Sequence, residues 1–245
     1  TDPHEPQSQL FVLHMDSQGS KPRYARNTVK GDVPVKDTML GVTQLSKKLW
    51  NVGGIDMTGR FLAVPIFFEN SSEILFFDMN NPKNPELVTC DHKECKGRKT
   101  SCVTIVRQDS NARAVALTKL IDGRFMLAVY TDGVSGKHSG FDFYVSKTIN
   151  MYDGFDPESC VHLGVPEIKN FKLKRSFQTI NFVNDFDHSL YLIGTGNVSK
   201  DAPLVPGMDY MDLFEVKVFK VTDLMVAGAK KTDSRKGWVN SCSVQ

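Results

Sequence analysis

One sentence of sequence is spoken three times in this chain at near-constant spacing: a turn, an apolar strand, a second apolar strand, then a stretch of mostly polar residues. The copies are GRFLAVPIF (59–67) with SEILFFDM (72–79), GRFMLAVYT (123–131) with SGFDFYVSK (139–147), and HSLYLIGTG (188–196) with YMDLFEVKV (210–218). Gly59 and Gly123 stand 64 positions apart, Asp122 and Asp187 65. A repeat of this length built from strand pairs cannot bury both faces of one unit alone, so the units must stack or arrange radially as small sheets.

Each copy extends on both sides. A strand precedes the pair at Val52–Asp56, Ala114–Leu117 and Gln178–Phe182, and the turns between carry Thr58-Gly59, Asp122-Gly123 and Asp187-His188. Asp-Gly is a strong tight-hairpin signal. An outer edge strand is predicted at Glu86-Leu87-Val88-Thr89. Residues 1–8 read as a disordered lead-in and 9–245 as a single repeat domain, with repeats near 50–110, 111–175 and 176–240. Gln9–Met15 is predicted to be a strand resembling the second strand of the later pairs. Asp16–Asp37 lacks an apolar period and reads as loop with one short strand near Asn27–Lys30, and Thr43–Leu49 reads as a helical turn.

The segment FFDMNNPKNPELVT (76–89) resembles the bacterial β-propeller repeats in which an FDVSNPxxPxLV segment closes each blade. Only the first copy carries this turn; the others have Ser146-Lys147-Thr148 and Lys220-Val221-Thr222-Asp223 there. The resemblance implies an all-β fold, a β-propeller of about four blades or part of a larger one. A four-bladed ring would close by pairing Leu10–Met15 with the C-terminal segment. Propellers host enzymes, receptors and scaffolds alike, so the resemblance names no reaction.

Charge narrows the partners. Thirty Lys+Arg against 28 Asp+Glu leaves a net +2, far from the basic excess of a nucleic-acid binder. Apolar runs such as Leu62–Phe68 fall short of the roughly 20 residues of a membrane-spanning helix. The chain opens Thr1-Asp2-Pro3 without Met and reads as a processed product. Sequons at Asn70-Ser71-Ser72 and Asn197-Val198-Ser199, in predicted loops, and clustered cysteines point to a secreted, disulfide-containing glycoprotein.

Candidate chemistry is sparse. Cys90, His92, Cys95 and Cys102 form the nearest approach to a metal site, but structural zinc favours Cys-x2-Cys with a distant second pair. A disulfide, Cys95–Cys102 or Cys90–Cys102, and inert thiols are the alternatives. In propeller hydrolases inner-strand loops converge on a central cation; the equivalent positions here are Asp56, Arg113 and Asn181, a mixed polar set. Gly133–Lys137 joins two strands and lacks the helix of a phosphate loop, and no Gly-x-Ser-x-Gly elbow occurs. The long connections 132–139 and 197–208 sit at the same point of successive repeats, where function concentrates. Lys137, His138, Asp201, Leu204, Asp209 and Tyr210 are their predicted contacts. The reading is a non-catalytic binding module for a protein or glycan. A propeller hydrolase or lyase with a metal ion in the channel, and a structural fragment without isolated activity, are the alternatives.

Overall fold

The structure is a computed structural model that describes residues 7–14, 38–49, 51–89, 103–108, 110–131, 140–156, 160–164, 175–185, 189–198, 209–218 and 226–236. It is all-β. Among the described residues the helical content is one 3-10 turn, Met151–Asp153.

Each sequence copy becomes the central pair of an antiparallel sheet. In the first sheet β5 (Phe61–Phe68) and β6 (Ser71–Asp78) are central, flanked by a split inner strand, β3 (Asn51–Val52) and β4 (Asp56–Thr58), and by β7 (Glu86–Leu87) and β8 (Ile105–Arg107) outside. The second sheet runs β9 (Ala114–Lys119), β10 (Phe125–Thr131), β11 (Gly140–Val145), β12 (Val161–Gly164). The third runs β13 (Arg175–Asn184), β14 (Leu190–Val198), β15 (Asp209–Val218), β16 (Val226–Lys236). A two-stranded ribbon, β1 (Ser8–His14) with β2 (Thr38–Ser46), completes the described structure.

Packing explains why the strands read as continuous apolar runs. Every residue of Phe61–Phe67 and of Phe125–Thr131 is buried, because both faces of the first two sheets are covered and neither can be polar. Leu62, Val64, Ile66, Leu75 and Phe77 meet Leu10 of the ribbon. Ala63, Ile74 and Phe76, from the opposite face, meet Val115, Leu117, Leu127 and Val129 of the second sheet. Ala116, Met126, Ala128, Tyr130, Phe141 and Phe143 then meet Phe177, Ile180, Leu192 and Phe214 of the third. The layers thus run ribbon, first, second and third sheet.

One proline organises the inner edge. Pro65 has no N–H to donate yet lies in a central strand, a position that a sheet tolerates only beside a bulge. The inner strand breaks there: Val52 pairs with Ile66 and Asp56 with Ala63, and between them Gly53 donates to the Pro65 carbonyl at 3.0 Å. Released from its own sheet, Gly54 forms a parallel bridge with Ala114 of the next one.

Among the described residues β1 pairs with β2, and residues 237–245, which a four-bladed closure would pair with Leu10–Met15, lie outside them. Two expectations need correction. Thr43–Leu49 is strand to Ser46, since Thr38–Ser46 pairs along its length with β1 and Thr and Val suit a pleated ladder better than a helix. Asn197 lies within β14, while Asn70 is exposed in the turn between β5 and β6. The Asn27–Lys30 strand and the 1–8 lead-in, Gln7 and Ser8 apart, lie outside the described residues.

Two glycine replacements separate turn strain from close packing. A Cβ on Gly54 would lie 2.2 Å from the Gln178 carbonyl oxygen and 3.0 Å from Thr179 Cα, both backbone. Around Gly59, at φ +57, nothing lies within 4 Å. Gly59→Ala is expected to lose about 1–2 kcal/mol, the left-handed penalty alone. Gly54→Ala must displace two strands and is expected to lose at least about 3 kcal/mol, at or beyond the top of the overpacking range, in thermal or urea denaturation.

Candidate functional site

Where the inner strands meet, the backbones of three sheets touch. Gly54 donates to the Arg113 carbonyl at 2.9 Å, and Val115 donates to the Gly54 carbonyl at 2.9 Å. The close approach of Gln178 and Thr179 to Gly54 brings in the third sheet. A glycine pair is required because any side chain would fill the space that the neighbouring backbones occupy.

Asp56, two residues on, ties the same three sheets through its side chain. Its Oδ1 accepts from the Met57 amide at 2.9 Å and from Asn181 Nδ2 of β13 at 3.0 Å, and its Oδ2 accepts from the Leu117 amide of β9 at 2.8 Å. Asp56 and Asn181, 125 positions apart, are thereby brought into direct hydrogen-bond contact. Arg113 is turned elsewhere: its guanidinium lies over the Phe67 ring, 4.6 Å from the centroid. Burial pushes the Asp56 carboxyl above its ordinary 3.8, against the opposing pull of the Leu117, Met57 and Asn181 donors.

A second polar cluster went unforeseen. Arg107 of β8, itself buried, pairs with the Asp142 carboxylate of β11 and donates to Thr131 Oγ1 at 3.0 Å and to the Asn111 carbonyl at 3.4 Å. An ion pair this deep is costly to break, because the survivor would be a buried unpaired charge. Its sequence signal was one charge in the apolar run Phe141-Asp142-Phe143-Tyr144-Val145. Beside it, burial pushes the Cys160 thiol up, with Tyr144 and Arg107 opposing, so this cysteine is not an activated thiolate. Burial likewise pushes up the Tyr144 hydroxyl.

A third joint fastens the outer ends of the first two sheets. The Asp78 carboxylate accepts from Tyr152 Oη at 2.6 Å, from the Asn80 amide at 2.9 Å and pairs with Arg60 at 3.1 Å. Burial pulls this carboxyl up, but the donors outweigh it and the net direction is below 3.8.

Other predicted residues fall differently. Asp209 and Tyr210 open β15, paired with Asn197 and Gly196, one residue before the strand start predicted at Tyr210. Lys137, His138, Asp201 and Leu204 lie outside the described residues, as do Cys90, His92, Cys95, Cys102 and Cys242. Cys160 is a free thiol. Among the described residues no group of three or more His, Cys, Asp or Glu is placed to hold a metal ion, and no helix is long and apolar enough to cross a membrane.

No family model and no curated protein matches this chain. Among solved structures it is similar to the phage phi92 endosialidase, with 13% identity and a TM-score of 0.40. The match covers 83% of this chain and 29% of that one, so the chain spans less than a third of that protein's length.

The direction of the Asp56 shift sets how stability depends on pH. A raised folded-state pKa means that the native protein holds the proton more tightly than the unfolded chain. The stability it contributes is present below pH 3.8 and is lost as pH rises through the folded value. Asp56→Asn should abolish that slope. It should also cost about 1–3 kcal/mol at neutral pH, because an amide in place of the carboxylate turns a donor towards a donor. Asp78 has the opposite sign: its contribution is present above 3.8 and lost as pH falls, so Tyr152→Phe should lower stability at pH 7 and flatten the loss on the acid side. Urea denaturation of both variants between pH 3 and pH 7 checks each sign.

Proposed function

We propose that this chain is a non-catalytic binding module, an arc of a β-propeller whose rigid sheets present a surface to a protein partner. One observation carries the reading. The acid expected to serve chemistry at the inner edge, Asp56, is engaged by three N–H donors from three sheets. A carboxylate so held joins strands, and a catalytic acid or metal ligand needs an oxygen turned to substrate or cation.

The connections 132–139 and 199–208 join the second and third strands of neighbouring sheets, and repeat symmetry carries such loops to neighbouring positions. Lys137, His138, Asp201 and Leu204 are the contacts this reading assigns to them. A protein is favoured over a glycan by the exposed apolar side chains of the ribbon, which offer a sugar few hydrogen-bonding groups.

Elemental analysis tests the proposal. Protein dialysed against metal-free buffer is expected to carry no stoichiometric cation. A stoichiometric cation that survives dialysis and is lost in Asp56→Ala would establish the hydrolase or lyase alternative instead.

An exported origin fits the exposed Asn70 sequon. Thiol titration of the denatured, unreduced protein is expected to find fewer than five free thiols; five would remove the disulfide on which the export reading leans.

A further inference from the structure

Among the described residues the ribbon is covered on one face only. Leu10 packs into the first sheet, with Leu45 and Leu49 against the same cluster. Gly41 comes so close to the 80–85 turn that a Cβ would sit 2.8 Å from the Lys83 carbonyl oxygen. On the other face Phe11 lies opposite Val42, and Leu13 opposite Met39. These four side chains are 53%, 49%, 53% and 56% exposed. Cross-strand partners share a face, as do residues two apart on one strand, so they form one contiguous patch.

Three observations select what covers it. The first is area. Four half-exposed side chains of this size offer roughly 400 Å², about half of what each partner contributes to a standard interface. Two copies meeting through this patch alone would fall short of a stable dimer.

The second is charge. The described ribbon residues, 7–14 and 38–49, hold no Asp or Glu, and Lys47 and Lys48 are exposed just past the end of β2. Lys47 and Lys48 thus stand beside the patch with no acid among the described ribbon residues to balance them, which disfavours a second copy and favours an acidic surface.

The third is the backbone. Among the described residues β1 and β2 pair only with each other, so no described strand pairs with the outer N–H and C=O groups of either. In lipid those groups would have no partner, at several kcal/mol each. A protein can satisfy them by adding a strand.

We propose that the β1–β2 ribbon is the docking site for an extended segment of a partner protein, one with an apolar centre and acidic ends. The segment pairs with a free ribbon edge, places its apolar side chains beside Phe11, Leu13, Met39 and Val42, and sets its acids near Lys47 and Lys48. This inference rests on the binding-module reading and adds the ribbon as a docking surface beside the connections named above.

The probe is the labelled peptide acetyl-Asp-Glu-Val-Thr-Ile-Thr-Val-Glu-Asp-amide, titrated with the full chain by fluorescence anisotropy. Its comparator carries Lys and Arg in place of the acids. The acidic peptide is expected to bind, and the basic one about tenfold more weakly or worse. Phe11→Ser with Val42→Ser should weaken binding about tenfold with an unchanged melting temperature, because these side chains are exposed. Lys47→Glu with Lys48→Glu should weaken it and flatten its salt dependence. Failure of the acidic peptide to bind, or equal binding of the basic one, overturns the proposal. So does attachment to phosphatidylcholine–phosphatidylserine vesicles through Phe11 and Val42, or a dimer in sedimentation that the double serine variant abolishes. None of these outcomes bears on the cation measurement at Asp56, so failure of this site and failure of the binding reading are read separately.

Discussion

Contact between inner strands is the constraint on which the rest of the molecule depends. A central strand that contains Pro65 cannot hold an unbroken neighbour, and the neighbour it releases carries Gly53 and Gly54, the residues that can touch another backbone. The released segment reaches the second sheet through two backbone hydrogen bonds of 2.9 Å and the third through van der Waals contact. Asp56 then fixes the junction by spanning strands that its own backbone does not pair with. One missing N–H and two missing side chains thus set how three sheets meet along one edge.

Away from that edge the sheets are held by shape and apolar area. The aromatic rings of the second and third sheets interlock: Phe177 lies edge-on to Tyr130 with centroids 4.9 Å apart and meets Phe214 edge-on at 5.9 Å. Two of the acids in these layers are held by partners, Asp142 by Arg107 and Asp78 by Tyr152 and Arg60. Each such joint links strands distant in sequence. The polar groups thereby specify which sheet meets which, while the apolar faces supply most of the driving force.

The strands and their pairing were legible because apolar runs and glycine turns are local signals. Gly59 and Gly123 have the positive φ that their turns require, and Glu86–Leu87 forms the predicted edge strand. Asp56 and Asn181 are two of the three residues that the aligned repeats place at equivalent inner-strand positions, and they meet across the second sheet. The partners of Arg107 were not legible, since Asp142 is 35 positions away and belongs to another sheet. Thr43–Leu49 misled because a short segment with Leu, Ser and Lys satisfies a helical turn locally, and only the ladder with β1 decides it.

The central claim is that the Asp56 carboxylate is a structural joint whose oxygens are held by donors from neighbouring sheets. Amide hydrogen exchange at Leu117 tests it most directly, because that N–H donates to Asp56 Oδ2 at 2.8 Å. In the wild-type protein the Leu117 amide is expected to exchange slowly. In Asp56→Ala its protection should fall well below that of the Leu127 amide across the same sheet. Rapid exchange at Leu117 in the wild type, or protection unchanged in the variant, would contradict the joint and return Asp56 to the pool of residues available for chemistry.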